Sequence, residues 1–274
     1  MPNTIIIGSG SHIPENIIDG NHFANSEFYD DNYVKIDKPN EEVIKKFVEI
    51  TEIETRRYTN PETLNSEIAA IAAKRAIEDA GIEQESLDYI ISATNFGDVD
   101  HLGQQNFMPS LSALVKHKLG IKNTKCVNYD MIFGCPGWVE AMILADILIK
   151  SGRAKNILVV GSETLSKVTD PYDRNKMIFS DGAGAVVVTA TDEENVGMVA
   201  DGTLCFNEEE INYLDNSHSL NPNADQTKKY IRMRGRKIYE FALKNVPSAI
   251  KDTIEKAGIS IEDIDKILIH QASC

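Results

Sequence analysis

An α/β layered fold is predicted by three features of this chain. Strand-like β-branched runs alternate with helix-period segments, no linker or low-complexity run divides them, and one helix–turn–strand unit occurs twice. The strand-like runs are 4–8 (TIIIG), 89–94 (YIISAT), 156–161 (NILVVG), 185–190 (AVVVTA) and 266–270 (KILIH). Helical periods fall between them, near 41–50, 65–80, 109–119, 136–151 and 235–257. The polar stretch 207–227 has few apolar anchors and contains Asn221-Pro222, so it reads as a long surface loop between two halves.

The repeated unit aligns AIEDAGIEQESLDYIISA, 76–93, without gaps on TIEKAGISIEDIDKILIH, 253–270. Ile77, Glu78, Ala80, Gly81, Ile82, Glu85, Asp88 and Ile90 meet Ile254, Glu255, Ala257, Gly258, Ile259, Glu262, Asp265 and Ile267. A helix closed by a glycine, an acidic turn and a buried strand is a common αβ unit that two segments can reach independently. The alternative is a duplicated fold. A long stretch follows the first copy and four residues follow the second, so on that alternative the second half is unfinished.

Composition narrows the function. A chain of 274 residues, 42% of them hydrophobic, can bury a large core in one large domain or two coupled ones. Its formal net charge of -14 repels phosphate backbones, which argues against nucleic acid as a partner. No apolar run approaches the roughly 20 residues that cross a bilayer, and the opening MPNTIIIGSG lacks the basic flank and length of a signal peptide. A cytoplasmic protein is expected. Cys126, Cys135, Cys205 and Cys274 have neither CxxC nor zinc-type spacing, so reduced thiols and no metal site are expected.

One cysteine stands apart. In MIFGCPGWVEAMILADILI, 131–149, Cys135 precedes a helical run that is apolar almost all round, with Val139, Met142, Ile143, Leu144, Ile147 and Leu148 suiting a buried central helix. Pro136 suits the first helical position, placing Cys135 near the N-cap, where unpaired N–H groups and the helix dipole favour a thiolate. Gly134 and Gly137 leave room for a substrate carbonyl. A small buried cysteine at a tight turn is the competing reading, and Cys126 and Cys205, which lack this setting, read as packing residues. His270, the first polar side chain after the run 266–269, falls where ligands of open α/β sheets bind. An imidazole there can support developing negative charge.

The order of GSGSHIPENII near the start, ITEIETRRY at 50–58, FGCPGW around Cys135, VVGSETL at 159–165, DPYDR at 170–174, FSDGAGAVVV at 179–188, MRGRKIYEFA at 233–242 and HQAS at 270–273 resembles the 3-oxoacyl-[acyl-carrier-protein] synthase III family of the thiolase superfamily. The resemblance implies a five-layered αβαβα sandwich of two duplicated halves, here 1–195 with the nucleophile and 196–274 as the start of an incomplete second half. It implies an acyltransferase of fatty-acid initiation or of a specialised lipid or polyketide pathway. Cys135 would take an acyl group from a thioester, and decarboxylated malonyl-acyl carrier protein (ACP) would attack it in a Claisen condensation. His270 matches the histidine that stabilises the enolate, Arg174 a contact to the adenine end of coenzyme A, and Gly235 and Arg236 the mouth of the pantetheine tunnel. No cofactor is implied beyond the substrates acyl-CoA or acyl-ACP and malonyl-ACP, and a homodimer is expected. Arg232, Arg234, Arg236 and Lys237 form a basic cluster on an acidic chain, suited either to docking an acidic carrier protein or to being a solvated helix start.

Departures from the family pattern sharpen these expectations. The family's catalytic asparagine and glycine-rich C-terminal loop lie beyond the last residue given, which suggests a fragment or a degenerate member. Lys46 and Ile50 stand where the family has a tryptophan and an arginine that sandwich coenzyme A, which makes a carrier-bound donor plausible. Phe133 replaces a smaller residue and could reshape the acyl pocket. The segment 95–109 is longer than its family counterpart and is expected at the dimer interface or over the acyl pocket. The alternatives are a non-catalytic carrier-binding partner subunit and a hydroxymethylglutaryl-CoA synthase-like enzyme. No glutamate lies between Tyr89 and Cys135 to serve as the base of the latter.

Overall fold

The computed structural model describes residues 2–194 and 196–270. In chain order its elements are β1 (Asn3–His12), β2 (Asn16–Ile18), α1 (Asn40–Thr51), β3 (Arg56–Tyr58), α2 (Asn65–Ala80), β4 (Tyr89–Ala93), β5 (Asp98–Val99), β6 (Gln105–Asn106), α3 (Leu111–Leu119), β7 (Val127–Met131), α4 (Gly137–Lys150), β8 (Asn156–Thr164), β9 (Asp181–Thr191), β10 (Leu214–Ser217), β11 (Tyr230–Met233) and α5 (Gly235–Ala257). They fall into two compact units. One takes the chain up to Pro14, then Thr59–Thr164 and Asp181–Asp201, and the other takes Glu15–Tyr58, Leu165–Ser180 and the chain from Gly202 on.

The first unit is built on a five-stranded mixed sheet ordered β1-β9-β8-β4-β7. β4 runs parallel to β7 and β8, while β9 is antiparallel to β8 and to β1. Successive side chains of a strand point to opposite faces, and both faces are covered here. Ile90, Leu158, Val160, Ala185 and Val187 pack with Ile68, Ala72, Ala76, Leu111 and Val115 of α2 and α3. Tyr89, Ile91, Ile157, Val159, Val186 and Val188 pack with Ala141, Met142, Ala145 and Ile149 of α4. Each fully buried isoleucine or leucine contributes about 2 kcal/mol of transfer free energy, and this two-sided burial is why the strand runs are apolar at consecutive positions.

Helix α2 lies close enough to β1 that a Cβ on Gly8 or Gly10 would overlap the backbone of α2 around Ala72, Ala76 and Ala80. The alanine-rich face of α2 and the glycines of GSGSH answer one another. At the start of the helix the Glu67 carboxylate accepts from the Leu64 N–H (2.9 Å), and at the end Gly81 takes the left-handed conformation, φ 63°.

Strand β7 has no counterpart in the sequence reading. It is an edge strand whose alternate residues Asn128 and Asp130 serve the start of α3: Asp130 accepts from the N–H groups of Leu111 (2.6 Å) and Ser112 (2.8 Å). It therefore lacks a β-branched run. Helix α4 covers the sheet with one side and leaves Val139 and Ile147 more than half exposed, so within its unit it is not buried all round as expected.

The second unit has a small core of Phe23, Phe28 and Met177, with α1 and the β2–β3 ribbon against it. Arg56 of the ITEIETRRY motif is buried there, donating to the carbonyls of Met177 (2.9 Å) and Ile18 (3.2 Å) over the Phe23 ring. Residues 207–227 are not a free surface loop as expected: they contain β10, paired with β11, and Asp170 accepts from the Leu220 N–H (2.6 Å) and the Ser219 hydroxyl (3.0 Å), both residues being buried.

The repeated unit is reproduced in its helix, its left-handed glycine (Gly258, φ 70°) and its 3-10 turn (Ile261–Asp263). The two copies part at the strand. Residues 266–270 form none, and Ile267, Leu268 and Ile269 are exposed, because among the described residues no segment lies alongside them to form a ladder. Exposed Cys205 is not the packing residue expected, whereas Cys126 is buried, and Cys126, Cys135 and Cys205 are free thiols. Cys274 and the last three residues of HQAS lie outside the described residues. Among the described residues no helix is long and apolar enough to cross a membrane.

Candidate active site

The three parallel strands β4, β7 and β8 end on the same edge of the sheet, the edge at which open α/β folds bind ligands. Each contributes a polar group there: Thr94 and Asn95 just after β4, Cys135 after β7, and Glu163 near the end of β8. The chain leaves β7 through Ile132, Phe133 and Gly134 and enters α4 by a turn in which the Gly137 N–H donates to the Gly134 carbonyl (2.8 Å). Pro136 is the N-cap rather than the first helical residue, so Cys135 sits one residue before the N-cap. A Cβ on Gly137 would come within 3.1 Å of Phe133 and 3.3 Å of Ala93, so small size is required where the turn passes β4.

Cys135 is exposed, yet its thiol is pushed up, first by the protein packed around it, against a lowering by its own backbone N–H, and further up by the Glu163 charge. These two observations pull apart. The upward direction runs opposite to the lowered thiol expected from the helix dipole alone.

Glu163, at the same edge, was not singled out in the sequence. Its Oε1 accepts a short hydrogen bond from the Asn95 N–H, and its Oε2 is buried with no hydrogen-bond partner. Burial pushes its carboxyl up to about 7, with the Asp181 charge adding to the rise and Asn95 and Thr94 opposing it. Behind it lies a buried polar network. Asn65 donates to the carbonyls of Gly97 (3.0 Å) and Ser162 (3.1 Å) and to the Thr94 hydroxyl (3.4 Å), and the Ser162 hydroxyl donates back to Asn65. The signal for Glu163 was the motif VVGSETL; its place at the same sheet edge as Cys135 is set by the pairing of β4 with both β7 and β8, which no local pattern encodes.

The remaining candidates, apart from the segment 95–109 of the first unit, lie in the second unit. His270 is exposed and outside any strand, contrary to its expected place at the end of a buried one. Arg174 is exposed at the start of a 3-10 turn whose N-cap, Asp173, accepts from the Asn175 N–H (2.7 Å). Asn175 in turn donates to the Met233 carbonyl (3.0 Å), which brings the Arg174 turn beside Gly235. Arg236 is paired on its own helix with Glu240 (2.8 Å). Arg232 is half-buried against Asp31 (3.5 Å) and the Tyr33 hydroxyl (3.2 Å). Exposed Lys237 lies over the Tyr213 ring, and Arg234 is exposed beside it. Lys46 and Ile50 are exposed on α1. The segment 95–109 forms the short β5–β6 ribbon, which leaves Leu102, Phe107 and Met108 exposed. Among the described residues no group of three or more His, Cys, Asp or Glu side chains could hold a metal ion.

Comparisons with known proteins agree with this architecture. Residues 129–202 match the family model described as 3-Oxoacyl-[acyl-carrier-protein (ACP)] synthase III. The whole chain is 35% identical to a beta-ketoacyl-[acyl-carrier-protein] synthase III of Clostridium acetobutylicum, of which it covers 78%. The crystal structure of 3-oxoacyl-[acyl-carrier-protein] synthase III from Aquifex aeolicus matches 98% of this chain and 77% of its own, with a TM-score of 0.75 and 32% identity. The priming beta-ketosynthase of the R1128 polyketide pathway, 24% identical with a TM-score of 0.76 over 99% of this chain and 76% of its own, shares the fold. With its mixed α/β sheet and thiolase-like neighbours, the chain belongs to the 3-oxoacyl-[acyl-carrier-protein] synthase III family.

Proposed function

We propose that the chain is a cytoplasmic acyltransferase that joins an acyl thioester to malonyl-ACP by decarboxylating Claisen condensation, in fatty-acid initiation or a specialised lipid or polyketide pathway. The observation that carries this reading is exposed Cys135 at the C-terminal edge of three parallel strands, one residue before the N-cap of α4. The Cys135 thiolate attacks the acyl carbonyl carbon; a carbon–sulfur bond to the enzyme forms as the one to the donor breaks. Backbone N–H groups at the head of α4 favour both the thiolate and the oxyanion that follows. Malonyl-ACP then loses carbon dioxide, and its carbanion displaces Cys135 from the acyl group.

In this reading His270 supports the enolate, Arg174 receives the adenine end of coenzyme A, and Gly235 and Arg236 flank the pantetheine. The proximity of the Arg174 turn to Gly235 supports that grouping. Arg234 and Lys237 offer exposed charge to an acidic carrier protein, while Arg232 is half-buried against Asp31. No cofactor is required beyond the CoA and ACP thioesters. The duplicated halves would divide at 195/196, and a homodimer would form through the open edge of β7.

Intact-mass measurement after incubation with acetyl-CoA or acyl-ACP tests this function. Wild type is expected to gain one acyl group and Cys135→Ala none; label on the variant, or none on wild type, overturns it. His270→Ala is expected to lower decarboxylation of malonyl-ACP by about 100-fold, and an unchanged rate removes that residue from the mechanism. A non-catalytic carrier-binding partner is the second reading, favoured by the position of His270 outside any strand. It predicts ACP binding without acylation of Cys135.

A further inference from the structure

We propose that the loop 26–39 selects the thioester donor: its acidic tip occupies the arginines at the entry and turns away the polyanionic nucleotide of coenzyme A, leaving a carrier-bound thioester as the substrate. This rests on the reading that Arg174 and Gly235 flank the donor's path, and it chooses between the two donors that reading allows.

The loop is built to hold one shape. Tyr29 pairs across it with Lys35, the Ile36 N–H donates to the Phe28 carbonyl (2.8 Å), and a salt bridge joins Glu27 to Lys35 (2.7 Å). At the tip the Asp30 carboxylate accepts from the N–H groups of Asn32 (2.9 Å) and Val34 (3.0 Å). At the base the Tyr29 N–H donates to the Tyr172 carbonyl (2.9 Å), and the two rings meet edge to face. Tyr29 and Asp173 form a parallel bridge, so the next residues along each segment, Asp30 and Arg174, are neighbours. The Asp30 carboxyl is held down first by the Val34 N–H and, less strongly, by Asn32 and the Arg174 charge.

Arg232 is taken by the same tip. Its Nη1 donates to the Tyr33 hydroxyl (3.2 Å), its Nη2 faces the Asp31 carboxylate (3.5 Å), and its guanidinium lies over the Tyr33 ring. Tyr33 is left-handed, φ 63°, which is unfavourable for a residue with a Cβ. In that conformation its ring and hydroxyl both reach Arg232. The remaining donor, Nε, is buried without a partner, so the guanidinium has no pair of donors left for a phosphate. Asp215, opposite Arg232 in the β10–β11 ladder, adds a further carboxylate, which accepts from the Ser217 hydroxyl (2.6 Å).

The consequence is electrostatic. Coenzyme A brings a diphosphate and a 3′-phosphate, about four negative charges near neutral pH, whereas a carrier protein presents its pantetheine on a phosphodiester. Like charges set against one of two competing partners reject that partner more than the other. Arg234, whose N–H donates to the Tyr213 carbonyl (2.8 Å), and Lys237, over the Tyr213 ring, stay exposed, where the acidic surface of a carrier protein meets them.

Calorimetric titration of the full chain with coenzyme A and with holo-ACP, at about 0.05 M and about 0.5 M salt, tests this. Wild type is expected to bind holo-ACP the more tightly, and its affinity for coenzyme A is expected to rise with salt as the repulsion is screened. Asp30→Asn/Asp31→Asn keeps an oxygen for each hydrogen bond and removes both charges. It is expected to bind coenzyme A about tenfold more tightly and holo-ACP within about twofold of wild type. Equal gains for both ligands, or an unchanged affinity for coenzyme A, overturn the proposal. Should the variant fail to fold, wild-type binding of coenzyme A that weakens with salt overturns it equally. Acylation of Cys135 by acetyl-CoA and acetyl-ACP is scored separately by intact mass. Donor selection without acylation would retain the role of the loop and reject the proposed function, whereas acylation without discrimination would do the reverse.

Discussion

Asp173 illustrates how a single side chain in this protein works against its own burial. Burial pushes its carboxyl up to about 6, Asp170 and Asp31 add to the rise, and the Asn175 N–H that it caps pulls it down. A folded value above the unfolded one means that stability from this group is full below about pH 4 and is lost as pH rises toward about 6. Asp173→Asn keeps an acceptor for the cap and removes the charge, so thermal unfolding is expected to show a gain on the order of 2 kcal/mol near pH 7.5. Near pH 4 the gain should vanish; an equal gain at both values would mean that the charge is not the cause. Glu163 follows the same physics: burial pushes its carboxyl up to about 7. At this scale the Gly-Cys-Pro-Gly stretch placed Cys135 at the turn before α4, where the structure has it. The sequence did not make Glu163 legible, because a glutamate in a strand-end motif reads as a solvated charge until its neighbours are known.

Among the elements, the contact of α2 with β1 is the tightest constraint. Gly8 and Gly10 leave no room for a Cβ against the alanine face of the helix, so Gly10→Ala must push the two apart. Overpacking of this kind costs about 1–3 kcal/mol; in urea unfolding the midpoint is expected to fall with the slope unchanged, and an unmoved midpoint would show that the helix gives way freely. All five helices were legible because their signals are local: apolar spacing along the chain and glycines such as Gly81, Gly120 and Gly258 that close the last turn in the left-handed conformation. The strands covered on both faces were legible from their consecutive apolar residues. Strand β7 was not, since Asn128 and Asp130 are spent on the start of α3 and the other residues lie at a sheet edge. The repeat marks the same limit. Glu85 and Asp88 in the first copy accept backbone N–H groups of Lys122, Asn123, Lys155 and Asn156 and thereby fasten the strand that follows. Their counterparts Glu262 and Asp265 are exposed.

For the molecule as a whole, the open edge of β7 is where a second copy would join. Among the described residues β7 pairs only with β4, and Val127 and Tyr129 are exposed on it, 37% and 44%. An exposed strand edge invites pairing with another chain, and a lysine there discourages it. Wild type is expected to sediment as a dimer at micromolar concentration and Val127→Lys as a monomer; identical sedimentation would place the subunit contact elsewhere. The sequence by itself determined the helices, the two-sided strands, the helix-head cysteine and the family, because caps, periodicity and motif order are properties of neighbouring residues. Only the tertiary structure decided that Glu163 lies at the same sheet edge as Cys135, that Arg232 is half-buried against Asp31, and that 266–270 forms no strand. Each of these depends on partners far along the chain, and hydrogen-bond ladders, ion pairs and buried charges exist only once folding has brought such partners together.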